Sequence, residues 1–423
     1  MFSPRFHHHG SPILQRFPTV FTRNFRPSSR LWLPRSSVNI TTKSTPETLR
    51  FRDELIRSTS PKSFSDRVRY PGIRNQILFF TFGSFVAYSV AAKLTNYDTS
   101  YWAQKLSLGS SIWIIGPPGS DQMRKARYFE YAKVMQNGLD KVRTTVESLP
   151  MMLKSFATWA YIYAAQPLVD AKEGRRVCWT IAAMNTGIWV LWQIPRLRPI
   201  MRTSFTHNPL SGKSYTMLTS TFSHKSFLHL LFNSMALTSF GSATCEYFIR
   251  EQANSPLRMQ ESTIQYHLIA FLISAGLFSS LASHMISARI TFPRLVSKIT
   301  KTKIQPTTTQ ALSTSVKESI RPSLGVSGAI YSAVVVTALA YPQSEIALIF
   351  PPTPPIPIQW GVGALVTLDC IGVIRGWRLF NHYAHLGGVV FGVFYYAYGP
   401  EIWDFFRTIN PMPYRSSSRS RSD

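Results

Sequence analysis

Apolar runs recur along the chain after a long polar start. Seven stretches stand out, at 76–94, 177–194, 227–243, 266–286, 324–341, 358–374 and 382–398, each with at most two ionisable groups. Runs of this length fit a hydrocarbon core of about 30 Å when helical. Glycine and serine are frequent within them, as in membrane helices that pack backbone to backbone. The pattern predicts an all-α polytopic membrane protein. One transmembrane helix (76–94) stands apart from a six-helix core (177–398), and a polar tail (399–423) follows. The connecting region 95–176 holds a polar helical stretch (122–147) and an aromatic one (151–168) interrupted by Lys154. The aromatic stretch reads as an interfacial helix rather than an eighth span.

Charge refines this picture. The 423 residues include 46 Lys and Arg against 20 Asp and Glu, a net charge of +26. Such an excess points to nucleic acid or an anionic membrane unless its placement explains it otherwise. Part of it lies in residues 1–46, which lack acids and interleave Arg5, Arg16, Arg23, Arg26, Arg30, Arg35 and Lys43 with Ser, Phe and Leu. That composition is that of a mitochondrial or plastid transit peptide, so residues 1–60 are set aside as a leader. Another part lies in loops 195–225, 287–323 and 375–381, with fourteen Lys/Arg and a single acid, Glu318. The opposite loops, 244–265 and 342–359, hold two Arg and four Glu. The basic loops mark the retained side of the membrane, the matrix side in a mitochondrial inner membrane. The charge is thereby accounted for, and no nucleic-acid partner is expected. Cys178, Cys245 and Cys370 are too few and too dispersed for a disulfide framework or a zinc site, and read as buried free thiols.

Three core helices carry polar residues whose placement in a bilayer marks them as functional candidates. HLLFN puts His229 and Asn233 on one helical face. GVSG sets Ser327 between Gly325 and Gly328 at a helix start, with Tyr331 one turn on. AHLGGVVFG aligns His385 with Gly388 and Gly392. Ser327 and His385 both lie near the N-terminal ends of helices that start from the basic side, so they can share one membrane depth. A serine hydroxyl becomes a nucleophile when a base takes its proton, and histidine has the basicity for it near neutral pH. A helix N-terminus, His229 and Asn233 could supply donors to an oxyanion. The glycines would let the two helices close. Each element alone is a weak signal; their conjunction carries the weight.

In this order and on these helices, the motifs resemble the rhomboid intramembrane serine proteases, over residues 177–398. The extra N-terminal span and the leader resemble the mitochondrial branch of that family. The resemblance implies Ser327 as nucleophile and His385 as general base, then acid toward the leaving amine. It further implies an oxyanion site from the Ser327 N–H, His229 and Asn233, and Tyr331 packed on the His385 ring. His224 matches a histidine with a supporting role. No cofactor or metal is implied. The implied partners are the lipid bilayer and single-span membrane proteins, with inner-membrane dynamin-like GTPases among the substrates. The active site would open toward the matrix-side interface. No carboxylate completes a triad in this resemblance, and Asp369 on the fifth core helix is expected to be a packing or polar-cavity residue.

Two departures concern substrate gating: loop 195–225 lacks the Trp-Arg pair of many bacterial rhomboids, and loop 287–323 is long, basic and expected to be mobile. A catalytically inactive helix-binding scaffold is the alternative function. It has no need of Ser327, His385, His229 and Asn233 together. A solute transporter would predict internal repeats, and none is found. Oligomeric state is not legible.

Overall fold

The computed structural model describes residues 70–109, 117–254, 259–301, 320, 322–347, 352–377 and 380–410. The leader, and most of the loop expected to be mobile, lie outside these residues.

Each of the seven apolar runs is helical over most of its length. The first helix extends well beyond its run, as α1 (Arg74–Gly109). The connecting region forms α2 (Ser120–Thr145) and α3 (Met151–Asp170). The core begins with α4 (Glu173–Gln193), which turns through 95° into a short stretch, Pro195–Ser204. Proline at the bend has no N–H to continue the α4 ladder. Next comes α5 (Phe227–Ala236), which passes through a π turn, Leu237–Gly241, into α6 (Ser242–Asn254). The remaining core helices are α7 (Gln265–Ile286), α8 (Ser327–Ala340), α9 (Ile358–Arg375) and α10 (His382–Ile409). A two-stranded antiparallel ribbon, Glu345–Ile346 with Ile356–Pro357, precedes α9.

Among the described residues, three helices are long and apolar enough to cross a membrane alone: Arg74–Leu108, Gln265–Lys298 and Ile358–Arg375. The bent pair at Pro195 is a fourth if counted as one span. At 14 residues α8 is shorter than the run that predicts it. At 1.5 Å per residue it reaches only about 21 Å.

Helices α7 and α8 form the centre and are buried on nearly all sides, which is why their sequences are apolar all round. The peripheral α9 buries only Ile358, Gly361, Asp369 and Gly372, a single stripe. Cys370 follows Asp369 by about 100° of helical rotation and is exposed, unlike the buried Cys178 and Cys245. The expectation of three buried thiols is corrected there.

The last helix also departs from expectation. It runs past 398 through Pro400 to Ile409, with Trp403 and Arg407 buried. Arg407 pairs with Glu261 at 3.1 Å and donates to Asn96 Oδ1 on α1 at 2.7 Å. Trp403 Nε1 donates to the same Glu261 oxygen at 2.6 Å. At the other end of the bundle, His284 Nε2 lies 3.0 Å from the Gly72 carbonyl just before α1. The added helix is thus fastened to the core at both ends. The Gly72 end is shared with His207 and Ser323, whose backbones pair in both directions at 2.9 Å. The start of α1 and two of the basic loops therefore lie on one side.

In the connecting region, α3 has no buried residue. It leans on α2, where the Tyr161 hydroxyl donates to the Met135 carbonyl at 2.8 Å.

Candidate active site

Gly325 precedes α8 with φ +116, a backbone conformation that favours glycine. A Cβ there would stand 2.7 Å from Cε1 of His229, so the imidazole lies directly against this loop. The Gly325 N–H is held by the Ser220 carbonyl at 2.9 Å. Ser327 then opens α8, where the first-turn amides have no acceptor within the helix.

Helix α10 meets α8 with backbone in contact. A Cβ on Gly388 would collide with the Gly328 carbonyl, and one on Gly392 would stand 2.8 Å from the Ser332 carbonyl. Where α7 also joins, a Cβ on Gly328 would stand 2.5 Å from Cβ of Ser279 on α7 and 3.2 Å from the Ala384 carbonyl of α10. Ser332 Oγ donates across to the Gly388 carbonyl at 2.8 Å. This approach sets Ser327 Oγ 3.0 Å from Nε2 of His385. Tyr331 stacks on the His385 ring, with centroids 4.3 Å apart and planes 12° from parallel.

Sequence reasoning missed the next partner. Nδ1 of His385 lies 3.1 and 3.2 Å from the two carboxylate oxygens of Asp369, which is 3 % exposed. The reading of Asp369 as a packing or polar-cavity residue is corrected to a partner of His385: α9 lies beside α10 and turns its buried stripe, Asp369 included, onto the histidine. As the one acid in a core span it carried a signal of its own, but no motif linked it to His385. A second histidine, His382, reaches the same carboxylate at 2.5 Å through its Nδ1.

Asn233 is buried one turn beyond His229, and its Nδ2 has no partner among the described residues. A buried amide donor without an acceptor is destabilising unless a ligand supplies one. His224, fully buried in the loop before α5, faces His229 with ring centroids 5.1 Å apart. Burial and, secondarily, His229 push its imidazole down to about 4. The site thus brings together Ser327, His385 and Asp369 in hydrogen-bonded sequence, with His229 and Asn233 on the adjoining α5. Serine, neutral imidazole and carboxylate in line can activate a hydroxyl and stabilise the imidazolium that results.

Residues 211–401 match the Rhomboid domain family. That segment, a little under half of the chain, is similar to the rhomboid family. The chain is 30% identical over 254 residues to the mitochondrial presenilin-associated rhomboid-like protein of Bos taurus, covering 57% of this chain and 56% of that one. The Homo sapiens protein of the same name is 31% identical over 236 residues, 55% of this chain and 51% of the relative. The mitochondrial Rhomboid protein 1 of Saccharomyces cerevisiae is 23% identical over 277 residues, 64% and 68% of the two chains. The chain spans about half the length of the first two relatives. Within the rhomboid match lie Ser327, His385, Asp369, His229 and Asn233.

Proposed function

We propose that this protein is an intramembrane serine endopeptidase of the mitochondrial inner membrane that cleaves single-span membrane proteins. The observation that carries the reading is the 3.0 Å approach of Ser327 Oγ to His385 Nε2, with Nδ1 of the same ring on Asp369. In this reading Ser327 attacks the scissile carbonyl as His385 takes its proton. Asp369 holds the imidazole with its Nδ1 protonated and stabilises the imidazolium. The Ser327 N–H, His229 and the unpartnered Asn233 amide receive the oxyanion. His385 then returns the proton to the leaving amine. A substrate helix must unwind locally for its carbonyl to reach Ser327. The basic loops favour a site opening on the matrix side, and the names of the relatives favour the mitochondrion.

The test is cleavage of a fusion carrying a helix-weakened transmembrane segment by the purified full chain in detergent. Product is expected from the native protein and absent with Ser327→Ala and His385→Ala. Co-purification of the same fusions without cleavage would replace the protease by a helix-binding scaffold.

A further inference from the structure

His382 is one turn before His385 on α10, so both rings emerge on the same face and meet the same carboxylate. Its bond to Asp369 Oδ1, at 2.5 Å, is shorter than either distance from His385, whose Nδ1 is shared between the two oxygens at 3.1 and 3.2 Å. The His382 side chain is 4 % exposed. Its ring is wedged onto α9 at Gly372, where any Cβ would overlap it. Trp377 and Phe380 border the ring on its other sides.

Proton counting fixes its tautomer. Nε2 of His382 is buried with no partner among the described residues. With the proton on Nδ1 the ring donates to Asp369 and leaves only a lone pair unmatched. A proton on Nε2 would instead bury an unsatisfied donor and withdraw the bond from the carboxylate. His382 is therefore held as an Nδ1–H donor to Asp369.

We propose that His382 is the positioning residue of this site: it anchors Asp369 through a permanent Nδ1–H donor and keeps the carboxylate oriented and ionised beneath His385. The proposal rests on the protease reading above. A donor to the charged form of a carboxylate favours that form, and its loss favours the protonated acid. The other titratable groups facing this cluster, among the described residues, are Tyr331 on α8, also a hydrogen-bonding neighbour of Asp369, and His229 on α5, which faces His385. Of these, only Tyr331 also bonds the carboxylate, so His382 and Tyr331 hold it together from two helices.

The experiment is the pH profile of kcat and KM for the full chain with a transmembrane-segment fusion, comparing His382→Leu with His382→Asn. The asparagine amide can stand where Nδ1 stands; leucine has no donor. For His382→Leu, the acid limb of kcat should move to higher pH by about one unit, a roughly tenfold loss on that limb. KM should hold, and activity should recover at alkaline pH. His382→Asn should restore the native profile. Adding His382→Leu to Asp369→Asn should cause little further loss, because the two act as one unit. An unmoved profile in His382→Leu overturns the proposal, as does equal loss in the Leu and Asn variants, which would assign the ring to packing on Gly372. Cleavage that survives Ser327→Ala would overturn the protease reading itself, a separate outcome.

Discussion

Asp369 and His385 belong to neighbouring helices, and their side chains meet with Nδ1 facing both carboxylate oxygens at 3.1 and 3.2 Å. In the proposed reaction this leaves Nε2, 3.0 Å from Ser327 Oγ, to accept the serine proton. Asp369→Asn keeps the volume but offers the ring an amide that can turn its donor toward Nδ1. The histidine then presents a proton to serine instead of a lone pair. The expected result is a fall in kcat of about 10²- to 10⁴-fold with KM little changed. Single-turnover cleavage at saturating substrate measures it.

Gly325→Ala tests the loop that precedes the serine. The added methyl meets both a φ of +116 and the His229 ring at 2.7 Å. Backbone strain of this kind amounts to about 1–3 kcal/mol, concentrated at the site. Thermal melts should therefore show a modest decrease while cleavage falls by much more. A variant with native activity would show that this loop tolerates a side chain.

His207 gives a pH dependence. Burial, and secondarily its neighbour His284, push the imidazole from 6.5 down to about 3. The unfolded chain takes up a proton below about 6.5, whereas the folded chain resists it until about 3. Stability from this group is thus whole above 6.5 and drains away as pH falls toward 3. Because the His207 backbone pairs with Ser323, four residues before Ser327, the acid loss should reach the site early. Melting temperature recorded from pH 7.5 down to 5 should decline, and His207→Asn should flatten that slope.

Arg407 and Glu261 are both almost wholly buried. Removing one partner of such a pair leaves an uncompensated charge, and Arg407→Met should destabilise by about 3–5 kcal/mol. Pairing it with Glu261→Gln should recover part of that loss. Thermal unfolding in detergent distinguishes the two variants.

Different parts of the structure were legible for different reasons. The helical, apolar character of the core could be read because a bilayer demands long apolar runs, and Ser327 with His385 because each sits in a short local pattern. Asp369 could not be read, since its meaning depends on how α9 leans on α10. The reach of α10 to Ile409 was hidden for a related reason. Pro400, Asp404 and Arg407 look like a polar tail until Glu261, 146 residues away, is seen to neutralise Arg407. The start of α8 at Ser327 was legible in the GVSG pattern, and the positive φ at Gly325 accounts for it.

The π turn at Leu237–Gly241 sits between two halves of one continuous rod. Below it, Cys245 is pressed against Gly174 and Thr244 reaches the Ala333 carbonyl at 3.3 Å. Above it, His229 lies on Gly325. Each residue advances a helix by about 100°, so the residue count between these anchor points sets the angle between them. The rod works as a spacer whose reading is kept by length alone. Inserting one residue into the α-helical stretch between His229 and the turn would leave composition and hydropathy almost untouched. It would swing the His229 imidazole about a quarter turn away from the serine loop, or else drag Cys245 off its seat.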